Sequence, residues 1–266
     1  MKISGNILKM TAVHESPIVY SLPIGDEMLK LNPYIGKKIS LNYAGEINCI
    51  HCHRRTNKSF NQGYCYPCMK SLARCDMCII KPELCHFDKG TCREPEWGVQ
   101  NCMIDHYVYL ANSSGLKVGI TRHSQIPTRW IDQGAVEAIP VARVDSRYDS
   151  GRVEVALKEF FNDKTNWRNM LKNIVPEVDL LIEKENISAV LQGLLLEFHG
   201  TQVSEDKVYS FEYPVLEYPL KINSLSFDKM PLIEGTLQGI KGQYLLLDTG
   251  VLNIRKHAGY KLTVHL

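Results

Sequence analysis

Apolar and polar positions alternate with period two along "KKISLNY" (37–43), the pattern of a strand with one buried face. Residues 1–48 as a whole read as short strands broken by Pro17, Pro23 and Pro33. From 49 to 102 long periodicity disappears and turn residues dominate, so this segment has little apolar surface with which to build a core of its own. Alternation returns at 107: "YVYLA" and "LKVGIT" are two strands joined by "NSSG", a hairpin connection. Pro127 then opens a short helix, "PTRWIDQ", which Gly134 closes, and "AIPVARV" is a third strand. "GRVEVALKEFF" places Val153, Ala156, Leu157 and Phe160 on one helical stripe. "DKTNWRNMLKN" starts another short helix, capped by Asp163 or Thr165.

The clearest helical period covers 186–199, where Ile187, Val190, Leu191, Leu194, Leu195 and Phe198 form a stripe and Gly200 marks the stop. From 207 onward "VYSFEY", "LIEGTLQGI", "GQYLLLD", "VLNIR" and "YKLTVHL" are strands separated by glycine-bearing turns, as in a small barrel or sandwich. "ISGNIL" at residue 3 faintly echoes "IEGTLQ" at 233, and we read the echo as chance, the alternative being that the two termini share one β-module. The whole pattern predicts an α+β chain in four segments. These are a β-rich N-terminal segment (1–48), a cysteine-rich segment (49–105), a hairpin–helix domain (106–174), and a helix plus β-rich C-terminal domain (175–266).

Length and composition sharpen this. The 266 residues suffice for two or three cores, and 44% apolar with 23% charged residues is ordinary for a globular protein. No apolar run reaches the roughly 18 residues a membrane helix needs. The opening "MKISGNILKM" lacks a secretory apolar region, so a cytoplasmic location with reduced thiols is expected. Net charge is +2 but uneven: residues 1–172 carry 23 Lys/Arg against 17 Asp/Glu, and residues 173–266 carry 8 against 12. The basic part points to a polyanionic partner.

All nine cysteines precede Tyr107, and an odd number fits metal ligation better than a closed disulfide set. Cys49-x2-Cys52 and Cys65-x2-Cys68 stand twelve residues apart. Each CxxC sets two thiolates about one turn apart, able to take two corners of a tetrahedron, which predicts a structural zinc ion. The first pair forms a knuckle, "NQGY" reads as a hairpin, and "CYPCMKSLAR" runs into a helix, an order that matches a treble clef. A second set follows: Cys75-x2-Cys78, then Cys85, His86, Cys92, Cys102 and His106. It predicts a second zinc ion, with Cys75, Cys78, Cys85 and Cys92 as first choice and the last two corners open among Cys85, His86, Cys92, Cys102 and His106. An iron–sulfur cluster is the rival chemistry for four thiolates. Arg54, Arg55 and Lys58, with His51 and His53, crowd the first knuckle as a basic rim suited to nucleic acid.

The stretch 106–166 resembles the GIY-YIG nuclease domain, a small antiparallel sheet with flanking helices. "YVY" (107–109) is similar to the first motif and "KVG" (117–119) to the second; Arg129, Glu154 and Asn166 follow in the family's order. The resemblance implies that Tyr109 handles a proton, Arg129 contacts phosphate, and Glu154 holds Mg²⁺ or Mn²⁺, with Lys117 and Asn166 in the same catalytic set and Arg122 among the nucleic-acid contacts. Lys117 stands where most members have tyrosine, and Gln133 stands where His or Tyr often follows the arginine; glutamine cannot serve as a general base. "YIG" also occurs literally at 34–36, among prolines, and reads as a turn. Across its length the chain is similar to a bacterial family known only as a domain of unknown function, through "GTCREPEWG", "KVGITR" and "RWIDQGA". Two functions are expected. One is a zinc-containing, Mg²⁺- or Mn²⁺-dependent endonuclease acting on DNA or RNA. The other is a non-catalytic zinc module that binds nucleic acid or a protein partner through a relict phosphate pocket. Neither involves a membrane.

Overall fold

The computed structural model describes residues 1–161 and 165–266; the cap candidate Asp163 lies outside the described residues. The chain divides into two compact units, each assembled from separate stretches. One comprises 1–70, 171–173 and 211–266; the other comprises 71–170 and 174–210. The cysteine-rich segment is therefore shared, with its first two CxxC elements in one unit and the later cysteines in the other.

The first stretch contains β1 (Lys2–Asn6), β2 (Thr11–Val13), β3 (Val19–Ile24), β4 (Glu27–Lys30), β5 (Lys38–Asn48), β6 (Arg55–Thr56) and the helix α1 (Tyr66–Ser71). Pro23 does not interrupt a strand but lies within β3. β2 pairs with β3 only from Val19 to Ser21, so the missing N–H falls beyond that ladder. "YIG" sits at the end of a 3₁₀ turn, Asn32–Tyr34, with Gly36 at φ +84°, which agrees with its reading as a turn.

The second unit holds α2 (Pro95–Asn101), β7 (His106–Asn112), β8 (Leu116–Arg122), α3 (Thr128–Asp132), β9 (Glu137–Val144), α4 (Arg147–Leu157), α5 (Trp167–Leu171, whose last residue belongs to the other unit), α6 (Leu180–Asn186), α7 (Ser188–Glu197), β10 (Gly200–Gln202) and β11 (Tyr209–Ser210). β7 is central, antiparallel to β8 on one side and β9 on the other, with β10 and β11 on the far edge of β9. Val108 and Leu110 of β7 and Val118 and Ile120 of β8 pack with Val153 and Leu157 of α4 and with Leu180, Ile187, Leu191 and Leu195 of the α6–α7 pair. α4 begins earlier than its stripe suggests, because Ser146 accepts a hydrogen bond from the Asp149 N–H and caps it; Phe160 lies past its end and is exposed. Val190 is likewise exposed. The 186–199 stripe ends at His199 in the left-handed region (φ +51°), not at Gly200, which begins β10. Gly200 is required instead by crowding: a Cβ there would lie 2.5 Å from the Leu195 side chain and 2.9 Å from the Arg143 carbonyl oxygen.

The chain then returns to the first unit with β12 (Ser224–Leu225), β13 (Leu232–Lys241), β14 (Tyr244–Leu247), β15 (Gly250–Asn253) and β16 (Tyr260–His265). The sheet order is β1-β16-β5-β13-β14-β15-β12, with β6 on β5 and a separate β2-β3-β4 sheet. The two terminal strands pair from Lys2↔His265 to Asn6↔Lys261. The echo between "ISGNIL" and "IEGTLQ" is thus not empty. Both lie in this sheet, and each glycine marks a crowded crossing: a Cβ on Gly5 would meet Gly25 N at 2.4 Å and one on Gly235 would meet Asp248 Oδ1 at 2.5 Å. Among the described residues no helix is long and apolar enough to cross a membrane.

Candidate functional site

β5 runs straight into Cys49. The Cys49 N–H donates to the Arg54 carbonyl (3.0 Å), the His53 N–H donates to the Cys49 carbonyl (2.9 Å), and His53 takes φ +59°, so the chain reverses in one tight knuckle. The Ile50 N–H donates to Gly63 (2.9 Å), tying the knuckle to the turn before Cys65, and Gly63 has no room for a side chain because a Cβ would meet Ile50 at 2.8 Å. Cys65 precedes α1 and Cys68 lies in its first turn. The Sγ atoms of Cys49, Cys52, Cys65 and Cys68 all lie within 4.8 Å of one another, with Cys52 and Cys65 3.7 Å apart.

The backbone N–H of Arg54 draws the Cys52 thiol down to about 6. Burial acts to raise Cys49, but backbone N–H groups of Cys52, Cys65 and His51 aimed at its sulfur outweigh it and lower it. Burial raises Cys68. Four soft sulfur donors at this spacing, with N–H groups turned toward thiolate, can hold a zinc ion. Arg54, Arg55 and Lys58 are exposed beside this cluster; Lys58 Nζ stands 5.4 Å from the Phe60 ring centroid.

The later cysteines behave differently. Cys78, Cys85, Cys92 and Cys102 line one small cavity together with Asp76 and His86, whereas Cys75 is buried outside its wall. Asp76, Cys78 and His86 bring one ligand atom each within 4.8 Å. Asp76 is held by Arg93 (2.6 Å), and His86 Nδ1 is paired with Thr91 Oγ1 (2.7 Å). Burial pushes the Cys78 thiol up to about 11 and raises Cys102. His106 is not in the cavity wall; its Nδ1 meets the Ile104 carbonyl at 2.7 Å.

On the hairpin, Tyr109 pairs directly with Gly119 and Ala111 with Lys117. A Cβ on Gly119 would stand 2.6 Å from the Tyr109 hydroxyl, so the glycine of "KVG" exists to let the phenol lie across its neighbour. The Tyr109 hydroxyl donates to Gln133 Oε1 (3.1 Å), and Lys117 Nζ donates to the same oxygen (2.7 Å) and to Thr165 Oγ1 (2.7 Å); Thr165 also pairs with Ser113 (3.1 Å). Tyr109 is 1% and Lys117 4% exposed. Burial raises the Tyr109 phenol, while Arg129, within its hydrogen-bonding reach, and Gln133 oppose the rise; Glu154 lies within electrostatic reach.

Arg129 is half-buried on α3, next to Trp130, whose ring stacks edge-on with Tyr109 at 5.6 Å. The Glu154 side chain is 14% exposed and 3.9 Å from Lys158. Asn166 is exposed, and its Oδ1 accepts from the Asn169 N–H (3.3 Å), so it caps α5 in place of Thr165. Arg122 donates to Asn101 Oδ1. The structure thus brings together Tyr109, Lys117 and Arg129. Sequence spacing did not reveal Gln133 as the shared acceptor of Tyr109 and Lys117, nor Thr165 as a second partner of Lys117, because neither role follows from a local pattern.

A family model matches residues 36–262, nearly all of the chain. The chain belongs to DUF2797, described as a protein of unknown function. The match runs across both cysteine clusters and the hairpin site, so all three lie within what defines this family. No curated protein matches the DUF2797 chain, and no solved structure matches it.

Proposed function

We propose that this chain is a zinc-built module that grips a phosphate of a nucleic acid at the hairpin without cutting it. The carrying observation is the hydrogen-bonded unit that buried Tyr109 and Lys117 make with half-buried Gln133 beside Arg129. Both donors that a nuclease would turn on its substrate are committed to one amide oxygen. A phenol raised by burial is a poor proton acceptor at neutral pH, and Gln133 cannot be a base. Arg129, by contrast, is half-buried and supported by Tyr109, a suitable state for a phosphate-binding guanidinium. In this reading the fold around the hairpin is GIY-YIG-like and the first zinc segment is treble-clef-like, with Cys49, Cys52, Cys65 and Cys68 holding zinc and Arg54, Arg55 and Lys58 adding phosphate contacts.

A second reading is Mg²⁺- or Mn²⁺-dependent hydrolysis of the phosphodiester, favoured by Glu154 lying within electrostatic reach of Tyr109. Glu154 would hold the ion, which would supply Lewis acidity.

Fluorescence anisotropy of labelled DNA and RNA oligonucleotides over graded salt separates these. Binding is expected, with log K falling by roughly 0.9 per phosphate contact for each tenfold rise in salt on duplex DNA. Arg129→Ala should weaken it about tenfold or more, the worth of one charged hydrogen bond. Glu154→Gln should leave it equal or tighter, and neither Mg²⁺ nor Mn²⁺ should yield product. Cleavage abolished by Glu154→Gln would establish the second reading. No binding to any oligonucleotide would overturn both and leave a protein partner.

A further inference from the structure

We propose that Cys78, Cys85, Cys92 and Cys102 form a second zinc site that organises the segment between α1 and β7. Residues 73–101 contain short 3₁₀ turns and α2 but no strand, so few backbone pairings hold them. Four thiols from four different places in this segment nevertheless line one cavity of about 10 Å³. That is room for about one water-sized body or ion. Cys78 alone of the four stands with Asp76 and His86 in a set whose ligand atoms all lie within 4.8 Å, so metal binding must draw the other three sulfurs inward. Cys78 belongs to the 3₁₀ turn Met77–Ile79, Cys85 follows the turn Pro82–Leu84, Cys92 precedes α2, and Cys102 is the C-cap of α2.

α2 is shaped for this. Gly98 and Cys102 are four apart and so share a helix face. A Cβ on Gly98 would stand 3.3 Å from Cys92 Sγ and 2.8 Å from the Phe87 ring. The missing side chain lets the Cys92 loop close onto the face that carries Cys102.

Charge supports thiolates here. A zinc ion with four thiolates carries a net double negative charge, which a buried site must offset. The Arg147 side chain reaches into the segment, donating to the Ile79 carbonyl (2.6 Å) and the Cys78 carbonyl (3.5 Å). Its guanidinium lies within electrostatic reach of the Cys78 and Cys102 sulfurs, and that of Arg122 within reach of Cys102.

Asp76 and His86 also face the cavity with ligand atoms near Cys78, and His86 Nε2 stands 3.6 Å from Asp76 Oδ2; with Arg93 on the carboxylate and Thr91 on His86 Nδ1, we assign them as outer partners of the metal site. Cys75, the CxxC partner of Cys78, is left out of the wall, and Cys102 replaces it.

The test is the metal content of the purified full chain by elemental mass spectrometry, together with cobalt substitution, whose thiolate-to-metal absorption scales with the number of bound sulfurs. Wild type should carry about two zinc ions, as two tetrathiolate sites require, and the cobalt form should show about eight thiolates. Cys102→Ser and Cys85→Ser should each lose about half of the metal, and Cys75→Ser none. One zinc and about four thiolates in wild type would overturn the site, and this readout does not depend on a variant folding. Loss of the second ion in Cys75→Ser or His86→Ala, with retention in Cys102→Ser, would overturn the ligand set. None of these outcomes depends on whether the hairpin binds nucleic acid.

Discussion

His106 opens β7 with no exposed surface, and its Nε2 has no hydrogen-bond partner among the described residues. Burial lowers its pKa to about 4. The unfolded chain takes up that proton near pH 6.5, the native chain only near 4. Its contribution to stability is therefore intact above about 6.5 and falls as pH drops toward 4, by about 3 kcal/mol. Urea unfolding of wild type and His106→Phe at pH 4 to 7 checks this: the stability difference between them should shift by that amount across the window, and a flat difference would refute it. Residue identity in the sequence could nominate His106 as a ligand. Only its surroundings reveal a neutral, fully buried imidazole outside the wall of the cysteine cavity. Lys117 gives the same lesson. Its charge is visible in the sequence, but its burial and its bonds to Gln133 and Thr165 depend on residues 16 and 48 positions away.

The hairpin was legible as an element because period-two alternation and a glycine-bearing turn are local signals; β7 and β8 lie where "YVYLA" and "LKVGIT" put them. α7 was legible too, though its last turn was not, since Gly200 is crowded into a strand and His199 takes the left-handed turn. Register decides the packing of this site. Pairing Tyr109 with Gly119 sets the phenol over a residue without a side chain. Gly119→Ala would force the ring aside, costing about 1–3 kcal/mol as an overpacked site does. It should also break the Tyr109–Gln133 hydrogen bond. Thermal unfolding and the Tyr109 ring signals in NMR read the two effects, and an alanine variant with unchanged stability and ring environment would contradict the packing described.

In the β-rich unit the last strand is central: β16 lies between β1 and β5, and β5 leads directly into Cys49. Removing residues 260–266 should strip Leu262 and Val264 from the core, leave β1 without its partner strand and open the edge of β5 that faces away from β13. We expect loss of the cooperative melt and of the capacity of Cys49, Cys52, Cys65 and Cys68 to hold a zinc ion, measured by calorimetry and metal content. A truncated chain that melts within a few degrees of wild type and keeps this capacity would show that the sheet does not support the knuckle. By itself the sequence determined the CxxC pairs, the hairpin, the short arginine helix and most C-terminal strands, because each is written in residues a turn or a pleat apart. Tertiary structure decided that the first and last strands pair, that Cys102 and not Cys75 faces the second cavity, and that Lys117 is sealed against Gln133. Those outcomes depend on which distant segments meet when the chain closes, and on how much room and charge each brings, which no local period records.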